Sequence, residues 1–497
     1  MKQQIFGDFV DPVALKVIVW VAVLALAFRF GILFLNEYWD YPPYWGVLAR
    51  KALAIAWSNF GNHPLPESFQ AIYHATAANA VSSWQLNDRG LTILYVAMNK
   101  IFGQVSYLHI KVFHLVLDAL MVAPVMALAN RISGSRGAVF AGIIYALFLP
   151  QAQMAVSPDY NSWLGAGMIM MTWLSVRIIE ERQRSMFIVL LCMLVITNYI
   201  GNEFRSIVVL FAFGAAGWLW LVEVSARHTL LLPKACWKPI VAFAIVGVGV
   251  MSISASVNYI ARGEYSPVRS SFGHAFFTGV GQYENPIGMS DSDKAPADWY
   301  VKETGKTNIN STLDQTYNAW LGKQAKAFVV EYPALYSSMV ARRAASILFP
   351  NMAFTLVTDL PSYTLLPRQK ELVKMRKAVV AEHGWASIAT LIHLIKEDLS
   401  YLVGLGFRVL LLIILPIGIF SAIWLAKSRA VSVFALLPLA YGIITLSFVY
   451  VTPPVVTGIH AAVLSVSASG IYLLFRHIKE GSNDTHINPR NSVTQSQ

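Results

Sequence analysis

Apolar stretches long enough to cross a bilayer recur along most of the chain, and they decide its fold class before any motif is considered. A spanning helix needs about 20 mainly apolar residues, within roughly 17–25. Such stretches lie at 14–35, 106–130, 137–156, 161–178, 186–200, 206–224, 239–260, 400–426, 431–451 and 455–475. The expectation is an all-α polytopic membrane protein with about ten transmembrane helices. Composition agrees: 56% of residues are hydrophobic and 13% charged, and a mean hydropathy of +0.53 is not that of a soluble globular chain.

The first stretch is too long for a leader core and lacks a small-residue cleavage site before Asn36, so it reads as a retained anchor. With the N-terminus in the cytoplasm, Arg131, Arg136, Arg177, Arg182, Arg184, Arg227, Lys234, Lys238, Lys427, Arg429, Arg476 and Lys479 all fall on the cytoplasmic side. The short outer turns at 156–160, 201–205 and 452–454 hold only Arg205, the asymmetry that the positive-inside rule requires. Both termini are therefore expected inside a cell inner membrane. The net charge of +11 then reflects contact with anionic membrane lipids rather than nucleic acid, since no basic and aromatic binding module accompanies it. Cys192 lies in a span and Cys236 in a cytoplasmic loop, which argues against a structural disulfide.

Four regions follow: an N-terminal transmembrane module over 1–260 that includes a first outer segment at about 37–105, an extracytoplasmic region over 261–399, C-terminal transmembrane helices over 400–475, and a polar, disordered cytoplasmic tail over 476–497. Within the first outer segment, Tyr44–Ser58 and Leu91–Phe102 suit short interfacial helices. The second outer segment is polar and rich in turn formers from Arg262 to Asn310 and regains helical periodicity near Leu313–Val340. Ala344–Val357 and Trp385–Ile395 are apolar but poorly suited to spanning, and read as re-entrant or surface helices. No Walker loop, GxGxxG, HExxH or paired CxxC motif is present, so nucleotide-driven pumping and zinc-dependent hydrolysis have no sequence support.

Ionisable residues at the outer ends of the spans are the candidates for chemistry. Glu37 and Asp40 lie beside Tyr41 and Tyr44 just past the first span; burial there would raise a carboxylate towards the range of a general base, whereas an aromatic belt with solvated acids is the bland alternative. Lys111 and Asp118 sit about two turns apart in the second span, where ionisable groups are costly and face a partner or cavity. Lys111 reads equally as a snorkelling structural residue or a phosphate contact. Asp159 reads either as a site carboxylate or as the cap of the fourth span, and Glu203 and Arg205 recur in the same way before the sixth. In the second outer segment, Gln282, Glu284 and Asn285 are suited to sugar hydroxyls, and Arg262, Arg269 and His274 lie nearby in the chain. His274 by itself reads more readily as structural than as a base. Arg342–Arg343 could hold phosphate, with a solvated interfacial pair as the favoured reading.

The order Asp40-x-x-x-Tyr44, Leu48-Ala49-Arg50, Arg89-Gly90 before Ile101-Phe102-Gly103, Lys111 to Asp118, then Asp159 and Arg205 resembles the GT-C superfamily of polytopic glycosyltransferases. The nearest branch is the bacterial relatives of protein O-mannosyltransferases and of lipid A aminoarabinose transferases. At motif level the likeness covers about the first 210 residues, and more loosely 258–290. It implies a GT-C-like fold, a polyprenyl-phosphate-linked sugar donor and a lipid, polysaccharide or protein acceptor reaching the extracytoplasmic face. Asp40 would be the catalytic base, with Glu37 or Asp159 as a second acid. Arg89, Lys111 and Arg205 would hold the donor phosphate, joined by Arg262 and Arg269. Tyr44, His274, Gln282, Glu284 and Asn285 are left for acceptor or sugar contacts. The chain departs from many members in having Asp40-Tyr41 where they have Asp-Glu.

A single displacement on such a donor would invert the anomeric centre. No cofactor is expected. A divalent ion between Asp40 and Asp159 would suit oxygen ligands, but the resemblance implies none. Two other readings are an O-antigen ligase or polymerase, which the early Asp40 cluster counts against, and a transporter or flippase, for which neither inverted repeats nor broken midplane helices are evident.

Overall fold

In hydrocarbon an unpaired backbone amide has no water to turn to, so the apolar stretches must close their hydrogen bonds within helices. The computed structural model bears this out. It describes residues 13–35, 94, 97–98, 100–102, 107–156, 162–181, 183–204, 206–227, 234–262, 265–267, 272–290, 292, 294–306, 315–349, 381, 406, 409–426, 428–449, 451 and 453–484, and no strand occurs among them.

The transmembrane part comprises α1 (Leu15–Leu35), α2 (Tyr107–Leu120), α3 (Val122–Ala146), α4 (Leu149–Val156), α5 (Ser162–Glu180), α6 (Arg184–Phe204), α7 (Phe211–Arg227) and α8 (Lys234–Arg262). After the second outer segment come α13 (Val409–Leu425), then α14 (Arg429–Phe434), α15 (Leu437–Leu446) and α16 (Pro453–Asp484). Seven described helical stretches are long and apolar enough to cross a membrane. Their outward faces carry large apolar side chains with no protein cover, among them Trp20, Ile188, Ile196, Ile245 and Ile444, and the shorter α13 adds Phe420 and Trp424. A soluble monomer does not tolerate so much exposed apolar surface. The chain is an all-α membrane protein.

Seven against an expected ten has identifiable physical causes. Leu108–Ala146 is one continuous apolar stretch of 39 residues, close to 60 Å at ~1.5 Å per residue and about twice a ~30 Å hydrocarbon core. It is broken inside α3 at Gly134, whose φ of +81° no other residue type adopts cheaply, so the break falls between the expected second and third spans. The fourth expected span is α5, made less apolar by Arg177 and Glu180. The eighth is described only as the 17 residues of Val409–Leu425.

Contacts at the helix ends show which turns share a side. Arg131 pairs with Glu180 at 2.9 Å, bringing the Gly134 turn beside the turn between α5 and α6. Lys238 lies 4.0 Å from the Phe187 ring centroid, so the starts of α6 and α8 are also together. These basic turns share one side, as the charge pattern requires.

At the centre runs α16, buried without interruption from Val455 to Gly470. Its small residues admit close neighbours: a Cβ placed on Gly165 of α5 would lie 3.1 Å from the Cα of Gly458, tighter than most real contacts. The segment between α8 and α13, expected on the outer side, forms its own cluster from α9 (Phe272–Val280), α10 (Ala295–Thr304), α11 (Gln315–Glu331) and α12 (Pro333–Leu348). Phe276, Phe277, Tyr300, Tyr317, Leu321 and Phe328 make its core. Two helices therefore lie inside 262–310, which its turn formers mark as loop; Phe276 and Phe277 gain enough by burial to order it.

The first helices are locked by a buried ion pair. In α1, Val21, Ala25, Arg29 and Ile32 form one buried stripe with the spacing of a single helix face. Arg29 Nε donates to Asp118 Oδ2 of α2 at 2.5 Å, and both side chains have 0% exposure. Arg29 Nη1 donates to the Ala25 and Ala146 carbonyls. Tyr145 Oη and Gln151 Nε2 donate to Asp118 Oδ1 at 3.0 and 2.7 Å. Four helices, α1 to α4, thus meet on one carboxylate. Removing one buried partner leaves an uncompensated charge and costs about 3–5 kcal/mol, whereas replacing both by apolar groups is nearly neutral. Asp118→Leu is expected to lower stability by about 3–5 kcal/mol in detergent-titration unfolding, and Arg29→Leu/Asp118→Leu to recover most of it; a double variant no more stable than the single would show that the pair is not what couples these helices.

Candidate functional site

The ends of α1, α2 and α4 opposite the Gly134 turn pack through Ile32, Leu33, Leu115, Leu149, Ala152, Ala155 and Val156. Along α2, Lys111, His114 and Asp118 are all fully buried and share a face, since residues three or four apart stack on a helix. His114 stacks on Trp163, the second residue of α5, with ring centroids 4.3 Å apart and planes at 19°. Phe113 adds a ring contact at 6.2 Å. A polar stripe therefore starts at Lys111, one turn inside the end of α2, and leads inward to the Arg29–Asp118 pair. Asp118 takes Arg29 as its ion-pair partner rather than Lys111.

The predicted acids border this region in sequence. Asp40 follows Leu35, the last residue of α1, by five residues, and Asp159 follows Val156, the last of α4, by three. Glu37, Asp40, Tyr44, Arg89, Asp159, Arg205 and Arg269 lie outside the described residues. Arg262 is the last residue of α8. Its side chain also lies outside what is described. Glu203, beside Arg205 in sequence, is buried at the end of α6.

The remaining predicted residues gather elsewhere, in the outer cluster and its seam with the bundle. His274 is buried in α9 with Nδ1 2.9 Å from Tyr317 Oη, a satisfied core position. Asn285 orders its own loop: Nδ2 donates to the Tyr283 and Met289 carbonyls at 2.8 Å, and Oδ1 accepts from the Met289 amide at 2.9 Å. Gln282 donates through Nε2 to Val451 O at 2.9 Å, across to the turn between α15 and α16. Glu284 is exposed.

The same seam is fastened by Tyr336 Oη donating to Phe448 O at 2.7 Å, by Arg343 Nη1 donating to Ser447 O at 3.2 Å, and by a 2.6 Å contact between His460 Nε2 and Ile347 O. Arg343 corrects the expectation of a solvated arginine pair. It is 1% exposed, while Arg342 beside it is exposed. Burial lowers the Arg343 pKa and raises those of Tyr283 and Tyr336, the last two against the opposing pull of the Arg343 charge.

Sequence reasoning missed Arg29, although a charged residue in the interior of an apolar span is a signal in itself. It also missed Gln151 and the stack of His114 on Trp163, for which only tertiary structure gives a cue. Among the described residues no group of three or more His, Cys, Asp and Glu side chains could hold a metal ion. No protein-family model matches the chain, and no curated protein matches it either.

Gln282→Ala removes the side-chain link to Val451. It is expected to cost about 0.5–1.5 kcal/mol and to speed amide exchange at 279–283 by about two- to tenfold; unchanged exchange would mean that Gln282 does not fasten the seam.

Proposed function

We propose that the chain is a glycosyltransferase of GT-C type, with about ten spans in a cell inner membrane and both termini cytoplasmic. It would move a sugar from a polyprenyl-phosphate donor to a lipid, polysaccharide or protein acceptor on the extracytoplasmic face. The observation carrying this reading is the buried stripe that starts at Lys111, set among the ends of α1, α2, α4 and α5, to which the sequence adds Asp40 and Asp159 within a few residues. A glycosyl phosphate already has a good leaving group, so the protein must supply a base for the acceptor and cations for the departing phosphate. The anchoring of the outer cluster on the turn after α15 supports the reading too, because a lipid-borne substrate and a water-borne acceptor must meet between membrane and loop.

In this mechanism Asp40 accepts the proton of an acceptor hydroxyl or amine as that atom bonds to the anomeric carbon. The bond from that carbon to the phosphate oxygen breaks, and polyprenyl phosphate leaves with both bonding electrons. Lys111, Arg89 and Arg205 stabilise its charge, with Arg262 and Arg269 as further cations. Backside attack inverts the anomeric centre. Glu37 or Asp159 serves as the second carboxylate, and no metal is required.

Asp40→Asn, inserted and folded as the parent is, should lower transfer about 100- to 10,000-fold, as loss of a general base does, with little change in donor affinity. Transfer at the parental rate would remove Asp40 from the reaction. Lys111→Met should weaken donor binding by about ten- to a hundredfold, the loss of one charge-assisted contact; an unchanged KM for the donor would assign Lys111 a purely structural role. Transfer should also be unaffected by EDTA, and its abolition, with recovery on adding a divalent ion, would contradict the metal-free mechanism.

A further inference from the structure

The seam between the outer cluster and the bundle holds two arginines with no described counter-ion. Arg343 is 1% exposed, and its Nη1 donates to the Ser447 carbonyl. Its Nε and Nη2 are buried without a partner. The Cζ atoms of Arg342 and Arg343 lie 5.7 and 5.5 Å from the same Tyr283 ring centroid. Among the described residues neither arginine forms an ion pair with a carboxylate, and the groups acting on Arg343 are the neutral phenols of Tyr283, which also offers it a side-chain hydrogen bond, and of Tyr336. Two like charges around one ring, one of them buried with open donors, is an arrangement that an anion resolves.

Its depth narrows the choice of anion. Helix α12 runs alongside the end of α16: Tyr336 and Arg343 bond to the turn at Phe448 and Ser447, while Ile347 reaches His460. His460 is seven residues inside α16, about 10 Å along the helix, and Arg343 is one turn of α12 before Ile347. The guanidinium is thus placed just inside the end of a spanning helix, at the level of lipid phosphate. Arginine is suited to this role, since its planar fork offers parallel donors to two phosphate oxygens. A Cβ on Gly279 would clash with the Val449 carbonyl and come within 3.1 Å of Arg343 Nη2, so the absence of a side chain there lets α9 and the turn after α15 close around the guanidinium.

We propose that Arg343, with Arg342 and the Tyr283 ring, forms a binding site for a lipid-borne phosphate, carried either by a bilayer phospholipid or by a polyprenyl phosphate. This site is separate from Lys111 and does not depend on the transfer reaction proposed above. The bound phosphate clamps the outer cluster to the α15–α16 turn.

The test uses the full chain, delipidated in neutral detergent and titrated with phosphatidylglycerol, polyprenyl phosphate, diacylglycerol or inorganic phosphate, with binding read directly and by the rise in melting temperature. At least one of the two phosphate-bearing lipids is expected to bind and stabilise the protein, diacylglycerol is expected to do neither, and Arg343→Gln is expected to weaken the lipid at least tenfold. Phosphatidylglycerol as the sole ligand would identify a bilayer headgroup, and polyprenyl phosphate as the sole ligand a carrier lipid; inorganic phosphate binding as tightly as either would refute a lipid source. If Arg343→Gln does not fold, Arg342→Gln on the exposed side carries the test, with a severalfold loss expected. Unchanged affinity in the folded variant, or equal binding of diacylglycerol, would overturn the proposal.

Discussion

Everything at the amino-terminal side of the bundle hangs on one buried carboxylate. Asp118 receives Arg29 from α1, Tyr145 from α3 and Gln151 from α4, so the relative depth and rotation of four helices are fixed by hydrogen-bond geometry. Apolar packing alone would set these poorly, because lipid tails are as apolar as leucine and offer little preference for one helix register over another. A buried polar group is costly anywhere but in the arrangement that satisfies it. The ends of α1, α2 and α4 inherit their spacing from that point.

The carboxyl-terminal side is organised by close contact. Small residues along α16 let α5 approach until Gly165 and Gly458 nearly touch, and the turn after α15 receives the outer cluster through Gln282, Tyr336 and Arg343. The two halves meet in α16, which is buried from Val455 to Gly470, about four turns. The polar stripe that starts at Lys111 belongs to the first of these halves, and the basic seam at Arg343 to the second.

Helix existence was legible in the sequence because spanning length is a strong constraint: α1, α6, α7 and α8 fall close to their expected limits, whereas α16 runs on to Asp484, into residues expected to be a disordered tail. The break inside Leu108–Ala146 also falls where the sequence placed a boundary, between 130 and 137, although it rests on the conformation of Gly134. The outer cluster was hidden because Gly and Pro near 279–288 signal turns, whereas the packing of Phe276 and Phe277 against α11 is long range. Among site residues, the full burial of Lys111 did not follow from its position near the end of a span, where a structural lysine would snorkel. A structural role was already the favoured reading of His274 taken alone, but the loop-ordering role of Asn285 was not legible, since the same amide serves sugars or backbone with equal ease. Arg343 was obscured by Arg342, as two adjacent arginines look alike until the helix turns one inward.

Transfer of a sugar at the membrane surface is the central claim, and the most direct measurement follows the donor's own atoms. Purified protein in vesicles would be given polyprenyl-phosphate sugar labelled in the sugar, together with an acceptor extract from the envelope. The account predicts label in a new, alkali-resistant glycosidic linkage of inverted configuration, with polyprenyl phosphate released in equal amount. Label that stays on the polyprenyl carrier, or that only changes leaflet, would contradict it.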